Sequence, residues 1–413
     1  MRKRLISPAS LGPALVGLAL LLAIGLNTLV VASRGGMLNS DFFGLWAGGR
    51  AVLLGLNPYE PGIWADLHAQ SGSAWLEPFF YPPFTALVFA PVSLLPVRLA
   101  AVAWLTLSEA MVVAALFLAQ RGLNWHSRPE DRLVLALGVI LFRPVILMLV
   151  YGQLSALLLF VVSAAFYALR RDRLFLAGAL LGLLIIKPQI AGIVLPLALA
   201  WLATGRRGWA VAGLFTTGAV GLAASWLIRP DWLESWRGLV SMKMTSISPF
   251  TPTAWGLVAS VLRGTTLAGY APLITLVALA VFAVPVLTWA WRTPDDRSPA
   301  LGLSAALALA LVATPYVWNY DQLLLLFPWV VGLSLGDRIG GWPKLALSLL
   351  GLVCLGVAPL LLAGIAAVRN EDTFSALVPV LALAFLAVSV SLQRSAIAGR
   401  FETSHGDARS IDV

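Results

Sequence analysis

The stretch of sequence that decides the fold is LFLAGALLGLLIIKPQIAGIVLPLALAWL, residues 174–202. Its only charged side chain is Lys187, which is followed by Pro188. A charge near the centre of a bilayer costs about 2.5–3.5 kcal/mol on insertion scales, and proline interrupts a helix because it lacks the backbone donor. The stretch therefore predicts two short apolar helices that meet at Lys187, close to a membrane surface.

The rest of the chain has the same apolar character. Of 413 residues, 60% are hydrophobic and only 11% are charged, whereas a soluble domain has roughly 45–50% apolar and about 25% charged residues. This composition excludes a water-soluble globule. At roughly 20 residues per membrane crossing, we predict an all-α polytopic membrane protein with about twelve transmembrane helices. The predicted spans lie near residues 11–33, 99–119, 133–150, 154–169, 174–186, 190–204, 209–228, 271–291, 299–315, 320–335, 342–366 and 374–392.

The positive charge indicates membrane orientation and not a nucleic-acid partner. The net charge is +9, but most basic residues lie in short breaks between apolar runs. If the amino terminus is cytoplasmic, the majority of the 28 basic residues fall on the cytoplasmic side, as the positive-inside rule requires. We therefore predict a multi-pass membrane protein with both termini inside, and a composition rich in Arg, Ala, Leu and Gly favours a bacterial inner membrane.

Two predicted outer segments, 34–98 and 229–270, are too long to be simple turns. Long loops in compact proteins are usually functional. The first segment is rich in aromatic residues and proline, which predicts short helices lying along the outer interface. We expect residues 1–392 to form one transmembrane catalytic domain and residues 393–413 to form a polar cytoplasmic tail.

Metal and cofactor chemistry find no support in the sequence. Cys354 is the single cysteine, and the three histidines are scattered. The chain contains no HExxH, GxGxxG or Walker motif, so we expect neither a metal nor a cofactor.

Five short motifs follow one another between residues 38 and 190. They are Asp41 just after the first span, the turn Gly55-Leu-Asn57-Pro58-Tyr59, the segment Tyr81-Pro82-Pro83, the pair Gly152-Gln153 and the pair Lys187-Pro188. In this order they resemble glycosyltransferase family 87, the polyprenyl-phosphate-mannose-dependent mannosyltransferases of membrane fold class C. The resemblance implies inverting transfer of a sugar, mannose in this family, from a polyprenyl-phosphate donor to a lipid or glycan acceptor on the extracytoplasmic face.

The chemistry of such a transfer fits the polar residues that are present. Phosphate departs as a stable anion, so the reaction needs a base for the acceptor hydroxyl and cations for the phosphate. One carboxylate suffices, unlike the pair that a glycosidase uses. The absence of an Asp-x-Asp sequence disfavours a nucleotide-sugar donor.

Asp41 is the candidate general base. It follows the first span directly and precedes an aromatic sequence with Gly44, which allows close approach to a sugar. The alternative is that Asp41 caps a helix, because Ser40-Asp41 before an apolar run is a typical start signal. Asp321, at the start of a later predicted span, is the reserve candidate.

Three basic residues are candidates for binding the donor phosphate, and each has a structural alternative. Lys187 could instead extend to the membrane interface. Arg143, just before Pro144, could instead pack against carbonyl groups at the end of a helix. Arg50 could be an interfacial anchor.

The candidate sugar- or acceptor-binding residues are amides, aromatic residues and one carboxylate. Amide groups bind hydroxyls, and aromatic faces stack on sugar rings. The set is Tyr59, Tyr81, Gln153, Trp318, Asn319 and Asp321. For the cluster at 315–321 an interfacial aromatic belt is the alternative, and Asp321 could simply favour the amino end of its helix.

Two other functions remain open from the sequence. A related transferase could use another polyprenyl-phosphate sugar, such as arabinofuranose. A secondary transporter would bind its substrate at the bilayer midplane between repeated halves. The sequence shows no convincing repeat, and its polar residues lie at the predicted outer ends of helices.

Overall fold

The computed structural model describes residues 8–73, 77–205, 207–292, 298–337 and 339–408. Within these ranges the chain forms nineteen α-helices and short 3-10 and π segments, with no strand. The predicted all-α class is therefore confirmed.

The α-helices are numbered in chain order. They are α1 Pro8–Ser33, α2 Asp41–Leu53, α3 Pro61–Gln70, α4 Pro83–Ser93, α5 Val97–Gly122, α6 Pro129–Leu141, α7 Arg143–Tyr151, α8 Ser155–Arg170, α9 Leu174–Gly182, α10 Pro188–Thr204, α11 Gly208–Ile228, α12 Trp232–Ile247, α13 Ala254–Leu262, α14 Ala271–Arg292, α15 Ser298–Ala313, α16 Leu326–Gly336, α17 Gly341–Leu352, α18 Ala358–Arg369 and α19 Leu377–Ala408. Two 3-10 segments, Leu183–Ile186 and Asn319–Leu325, matter for the site.

The chain divides into two compact units. The first comprises Met1–Met111, Leu149–Gln153 and Leu222–Leu239, and the second comprises Val112–Met148, Leu154–Gly221 and Val240–Val413.

Close packing of α2 on α4 organises the first unit. A Cβ at Gly48 would lie 2.3 Å from the ring of Phe79, and one at Gly49 would lie 2.3 Å from the hydroxyl of Ser93. Glycine at both positions lets α2 approach its neighbours at this distance. The Trp46 indole donates to the Leu95 carbonyl at 3.0 Å. Helices α2, α3 and α4 are the short helices that the sequence predicts within residues 34–98.

Large apolar side chains seated on glycines hold the second unit together. Trp329 of α16 is fully buried, and a Cβ at Gly138 of α6 would lie 1.8 Å from its ring. Gly332 faces the Phe385 ring of α19 in the same way, at 2.4 Å. Packing of this kind suits helices in a bilayer, where small residues permit close contact without a hydrophobic driving force.

The helices fit the predicted apolar runs, but only some of them are long enough to cross a membrane. Each of the twelve predicted spans falls on one helix or on consecutive helical segments. Five described helices are long and apolar enough to cross a membrane, or seven if two bent pairs each form one span. One bent pair joins α1 to α2 with a bend of 85°. Helix α19 continues to Ala408, beyond the predicted span end at 392. The chain is a multi-pass membrane protein.

Candidate active site

The start of α2 places Asp41 without using it as a cap. Ser40 is the N-cap residue, with an extended backbone (φ −143°, ψ 164°) and no side-chain capping bond. Its hydroxyl instead donates to the Met37 carbonyl at 2.7 Å. Asp41 is the first helical residue, where the positive end of the helix dipole favours its negative charge. Ser40, and not Asp41, therefore occupies the N-cap position of α2.

Gln153 holds the carboxylate of Asp41. Its Nε2 donates to Asp41 Oδ2 at 2.6 Å, across 112 positions of sequence. Gln153 is 2% exposed and Asp41 is half-buried. This hydrogen bond holds one oxygen of the Asp41 carboxylate in a fixed orientation.

Gly152 explains why glycine precedes Gln153. Its φ is +63°, and a Cβ there would lie 2.5 Å from Cβ of Phe42 on α2. Its carbonyl accepts a hydrogen bond from the Trp104 indole of α5 at 2.9 Å. The sequence analysis missed Trp104, whose only signal is a single indole donor inside an apolar span.

The two predicted tyrosines extend this hydrogen-bonded chain. Tyr81 Oη donates to Gln153 Oε1 at 3.4 Å, and Tyr59 Oη donates to the Tyr81 carbonyl at 2.6 Å. Burial raises the pKa of Tyr59 far above its usual value, so its hydroxyl remains a donor at physiological pH. Four predicted residues, Asp41, Gln153, Tyr81 and Tyr59, thus form one connected chain, which we call the Asp41 chain.

Two residues of the 222–239 segment fix the Tyr81-Pro82-Pro83 turn from either side. The Trp236 indole donates to the Phe80 carbonyl at 2.8 Å, and the Phe84 amide donates to the Ser225 hydroxyl at 3.2 Å. Both contacts join positions more than 140 residues apart, so no local pattern predicts either of them.

Arg50 lies away from the Asp41 chain. It is nine residues along α2, which in an ideal helix corresponds to about two and a half turns and about 13 Å of rise. Its side chain is therefore on the opposite face from Asp41. The Arg50 guanidinium has no hydrogen-bond or ion-pair partner among the residues that the structure describes.

In the second unit, Lys187 forms a buried ion pair with Asp321. The Lys187 ammonium contacts Asp321 Oδ1, and the two side chains are 3% and 1% exposed. The Ser155 hydroxyl donates to the same oxygen at 2.8 Å, and the Trp318 backbone amide donates to Oδ2 at 3.2 Å. The Tyr320 ring lies 4.9 Å from the ammonium. Lys187 does break the helix between Ile186 and Pro188 as predicted, but its ammonium does not extend to a surface.

Arg143 joins a second cluster in this unit, centred on Asp372. Arg143 Nη2 lies 2.8 Å from Asp372 Oδ2, and the Asn319 amide donates to the same oxygen. The Ser375 hydroxyl donates to Oδ1 at 2.6 Å. The sequence analysis missed Asp372, because an acidic residue in a short turn between two spans has the pattern of a solvated turn.

Two of the three aromatic residues of the 315–321 segment, Tyr316 and Trp318, are partly buried, whereas Tyr320 is buried. Trp318 and Tyr316 pack edge to face, with ring centroids 6.4 Å apart. Such a face is available to a sugar ring. Within the described ranges, no group of three or more His, Cys, Asp or Glu side chains is arranged to hold a metal ion.

Comparisons with known proteins agree on the type of enzyme. The sequence profile of glycosyltransferase family 87 matches residues 79–317. A polyprenol-phosphate-mannose-dependent alpha-(1-2)-phosphatidylinositol pentamannoside mannosyltransferase of Mycolicibacterium smegmatis is 31% identical over 315 residues, which cover 71% of this chain and 72% of the relative. A protein of the same description from Mycobacterium tuberculosis is 27% identical over 308 residues, with 71% and 68% covered.

A third relative acts on a related lipid. A polyprenol-phosphate-mannose-dependent alpha-(1-2)-phosphatidylinositol mannoside mannosyltransferase of Mycolicibacterium smegmatis is 27% identical over 335 residues, with 71% of this chain and 74% of the relative covered. No solved structure matches the chain significantly.

Proposed function

Because this chain belongs to glycosyltransferase family 87, we propose that it transfers mannose from a polyprenyl-phosphate donor to a lipid or glycan acceptor at the extracytoplasmic face of a bacterial inner membrane. The names of the relatives favour a phosphatidylinositol mannoside or a similar glycolipid as acceptor. The fold proposed with this function is glycosyltransferase fold class C with about twelve spans.

Asp41 is the general base of the proposed reaction. It takes the proton from an acceptor hydroxyl while the hydroxyl oxygen attacks the anomeric carbon of the sugar. The bond from that carbon to the phosphate oxygen breaks, and polyprenyl phosphate leaves with the electron pair. A single displacement with one carboxylate inverts the anomeric configuration, and no second carboxylate is needed to form a covalent intermediate.

The observation that carries the proposal is the 2.6 Å hydrogen bond from Gln153 Nε2 to Asp41 Oδ2. A general base must be held in a fixed orientation and remain able to accept a proton. The hydrogen bond comes from a neutral amide, which orients the carboxylate. Tyr81 supports Gln153 through its hydroxyl, and Tyr59 supports Tyr81 in turn.

The charge of the departing phosphate needs cations in this proposal. Arg143 is the first candidate, since its side chain is 22% exposed and a guanidinium binds phosphate oxygens in pairs. Lys187 contributes a charge that Asp321 already balances, so phosphate binding there requires the pair to open. Arg50 is the third candidate, on the face of α2 away from Asp41.

The test is a transfer assay in membranes that contain the full chain. Polyprenyl-phosphate mannose, glucose and arabinofuranose are supplied separately, and the lipid products are analysed. The proposal predicts transfer from the mannose donor, abolished by Asp41→Asn. Asp66→Asn is the matched control, because Asp66 is an exposed carboxylate on α3 of the same unit. Transfer only from another sugar would correct the donor, and full activity of Asp41→Asn would exclude the base.

A further inference from the structure

We propose that Asp372 positions Arg143 and Asn319 as one recognition site for the sugar-phosphate head of the donor. The inference rests on the proposed function and deepens it. Asp372 is a positioning residue here, and the groups that contact the ligand are the Arg143 guanidinium and the Asn319 amide oxygen.

The hydrogen bonds of Asp372 show why its role is positioning. Its Oδ2 accepts hydrogen bonds from the Arg143 guanidinium and the Asn319 amide, and its Oδ1 accepts one from the Ser375 hydroxyl. Since a carboxylate has about four acceptor sites, three are occupied by groups of the protein itself. These partners come from the start of α7, from the segment before α16 and from the turn before α19. Asp372 therefore fixes two groups that lie far apart in sequence.

What remains unused in this cluster matches the chemistry of a sugar phosphate. A guanidinium carries five N–H donors, and Arg143 pairs only with Asp372 among the described residues. Asn319 is only 6% exposed. Its Oδ1 is buried and has no hydrogen-bond partner in the described part of the chain. A buried acceptor of this kind destabilises the folded protein unless a donor reaches it. A phosphate offers anionic oxygens to Arg143, and a sugar hydroxyl offers the donor that Asn319 lacks.

The neighbouring carboxylate provides a contrast within the same turn. Glu371 accepts from the Ser260 hydroxyl at 2.5 Å and pairs with Arg263 at 2.8 Å and Arg369 at 3.5 Å. Its side chain is 7% exposed. The Ser260 hydrogen bond and the two arginines hold the pKa of Glu371 below its usual value. None of these partners is a predicted site residue, so Glu371 is a matched control for loss of a paired carboxylate.

The first test is a double-mutant cycle on donor kinetics with the full-length enzyme and polyprenyl-phosphate mannose. Asp372→Asn is expected to raise the donor KM about tenfold, the loss of one charge-assisted hydrogen bond, with kcat within about twofold. Arg143→Gln is expected to raise it by at least as much. In the Arg143→Gln background, Asp372→Asn should add only about two- to fivefold, because Asn319 is then the one ligand-binding group left for it to position.

Charge gives this test a result that would overturn the proposal. If Asp372 only opposed the phosphate by repulsion, removing its charge would lower the donor KM. A lowered or unchanged donor KM, or effects that simply multiply in the double variant, would therefore refute positioning. Glu371→Gln should reduce thermal stability without changing the donor KM. An equal KM increase in that control would assign the effect to general weakening of the turn.

The second test separates the phosphate contact from the sugar contact. Polyprenyl phosphate without a sugar is used as a competitive inhibitor. Arg143→Gln should weaken its binding, whereas Asn319→Ala should raise only the KM of the mannose donor. Equal effects of Asn319→Ala on both ligands would refute the sugar contact.

A milder substitution covers the case in which Asp372→Asn does not fold. Ser375→Ala removes one hydrogen bond to Oδ1 and should raise the donor KM about two- to fivefold; an unchanged KM would count against the proposal. A wild-type enzyme inactive with every polyprenyl-phosphate sugar would instead refute the proposed function itself.

Discussion

Asp41 and Asp321 each lie in the first turn of a helical segment, and both were candidate catalytic carboxylates. Asp41 is half-buried and accepts a hydrogen bond from the neutral amide of Gln153. Asp321 is fully buried and receives the Lys187 ammonium, the Ser155 hydroxyl and a backbone amide. The same residue type at the same kind of position therefore has two different environments.

The difference teaches how to separate a reactive carboxylate from a structural one. The oxygens of the Asp321 carboxylate are already bound by an ammonium, a hydroxyl and a backbone amide, so most of its acceptor sites are occupied by the protein itself. The Asp41 carboxylate is only half-buried and is oriented by an amide. This contrast favours Asp41 as the base and a structural role for Asp321.

The sharpest test of the contrast compares the asparagine variants of the two residues. Asp41→Asn should lower kcat about 100- to 10,000-fold, the usual contribution of a general base. It should leave the unfolding temperature nearly unchanged, because the amide can retain a hydrogen bond with Gln153 after that side chain rotates. The measurements are initial transfer rate and thermal unfolding in detergent. A folded Asp41→Asn enzyme with near-normal turnover would reverse the assignment and favour Asp321.

The second prediction concerns the buried pair. Removing one partner of a buried ion pair leaves an uncompensated charge and destabilises a protein by about 3–5 kcal/mol. Lys187→Met and Asp321→Leu should each lower the unfolding temperature strongly. The double variant Lys187→Met/Asp321→Leu should regain most of the loss, since no buried charge is then left alone. Additive losses in the double variant would contradict this view of the pair.

The third prediction tests the backbone beneath the Asp41 chain. Gly152→Ala introduces a Cβ 2.5 Å from Phe42 at a φ of +63°, so the backbone must shift and carry Gln153 away from Asp41. We expect at least about a tenfold loss of turnover, since a left-handed position and a steric clash each cost on the order of 1–3 kcal/mol. Gly62→Ala on α3 is the control, because a Cβ there meets nothing within 4 Å. Equal activity of both variants would show that Gln153 need not be held in this way.

The fourth prediction concerns the weakest link of the Asp41 chain. Tyr81→Phe removes a hydrogen bond of 3.4 Å to Gln153, which is long for a bond with a hydroxyl donor. Turnover should fall about two- to fivefold, in line with a net contribution near 0.5–1 kcal/mol. A loss as large as that of Asp41→Asn would indicate that Tyr81 acts directly on the substrate.

The fifth prediction has the smallest expected effect and extends the comparison to Glu371. Its pKa is lowered in the folded protein, chiefly by the Ser260 hydrogen bond and then by Arg263 and Arg369. A lowered folded pKa contributes stability that is present above the unfolded value of 4.5 and is lost as the pH falls through the folded value. Unfolding temperature measured from pH 7 to pH 3 should fall less steeply for Glu371→Gln than for the wild type. Identical slopes would contradict the assignment.

The sequence by itself determined the class of the protein and identified the residues of the Asp41 chain. The apolar runs specify helices because burial of apolar side chains depends on composition and spacing within one segment. Lys187-Pro188 predicted a helix break for the same local reason. The motifs around Asp41, Tyr59, Tyr81 and Gln153 identified four residues that the structure joins in one chain.

Only the tertiary structure decided which partner each polar residue has. Gln153 meets Asp41 across 112 positions, and Asp321 meets Lys187 across 134. Asp372 had no local signal, yet it gathers Arg143 and Asn319. The physical reason is that desolvation and ion pairing depend on which helices pack together, whereas hydropathy records only what each helix needs to bury.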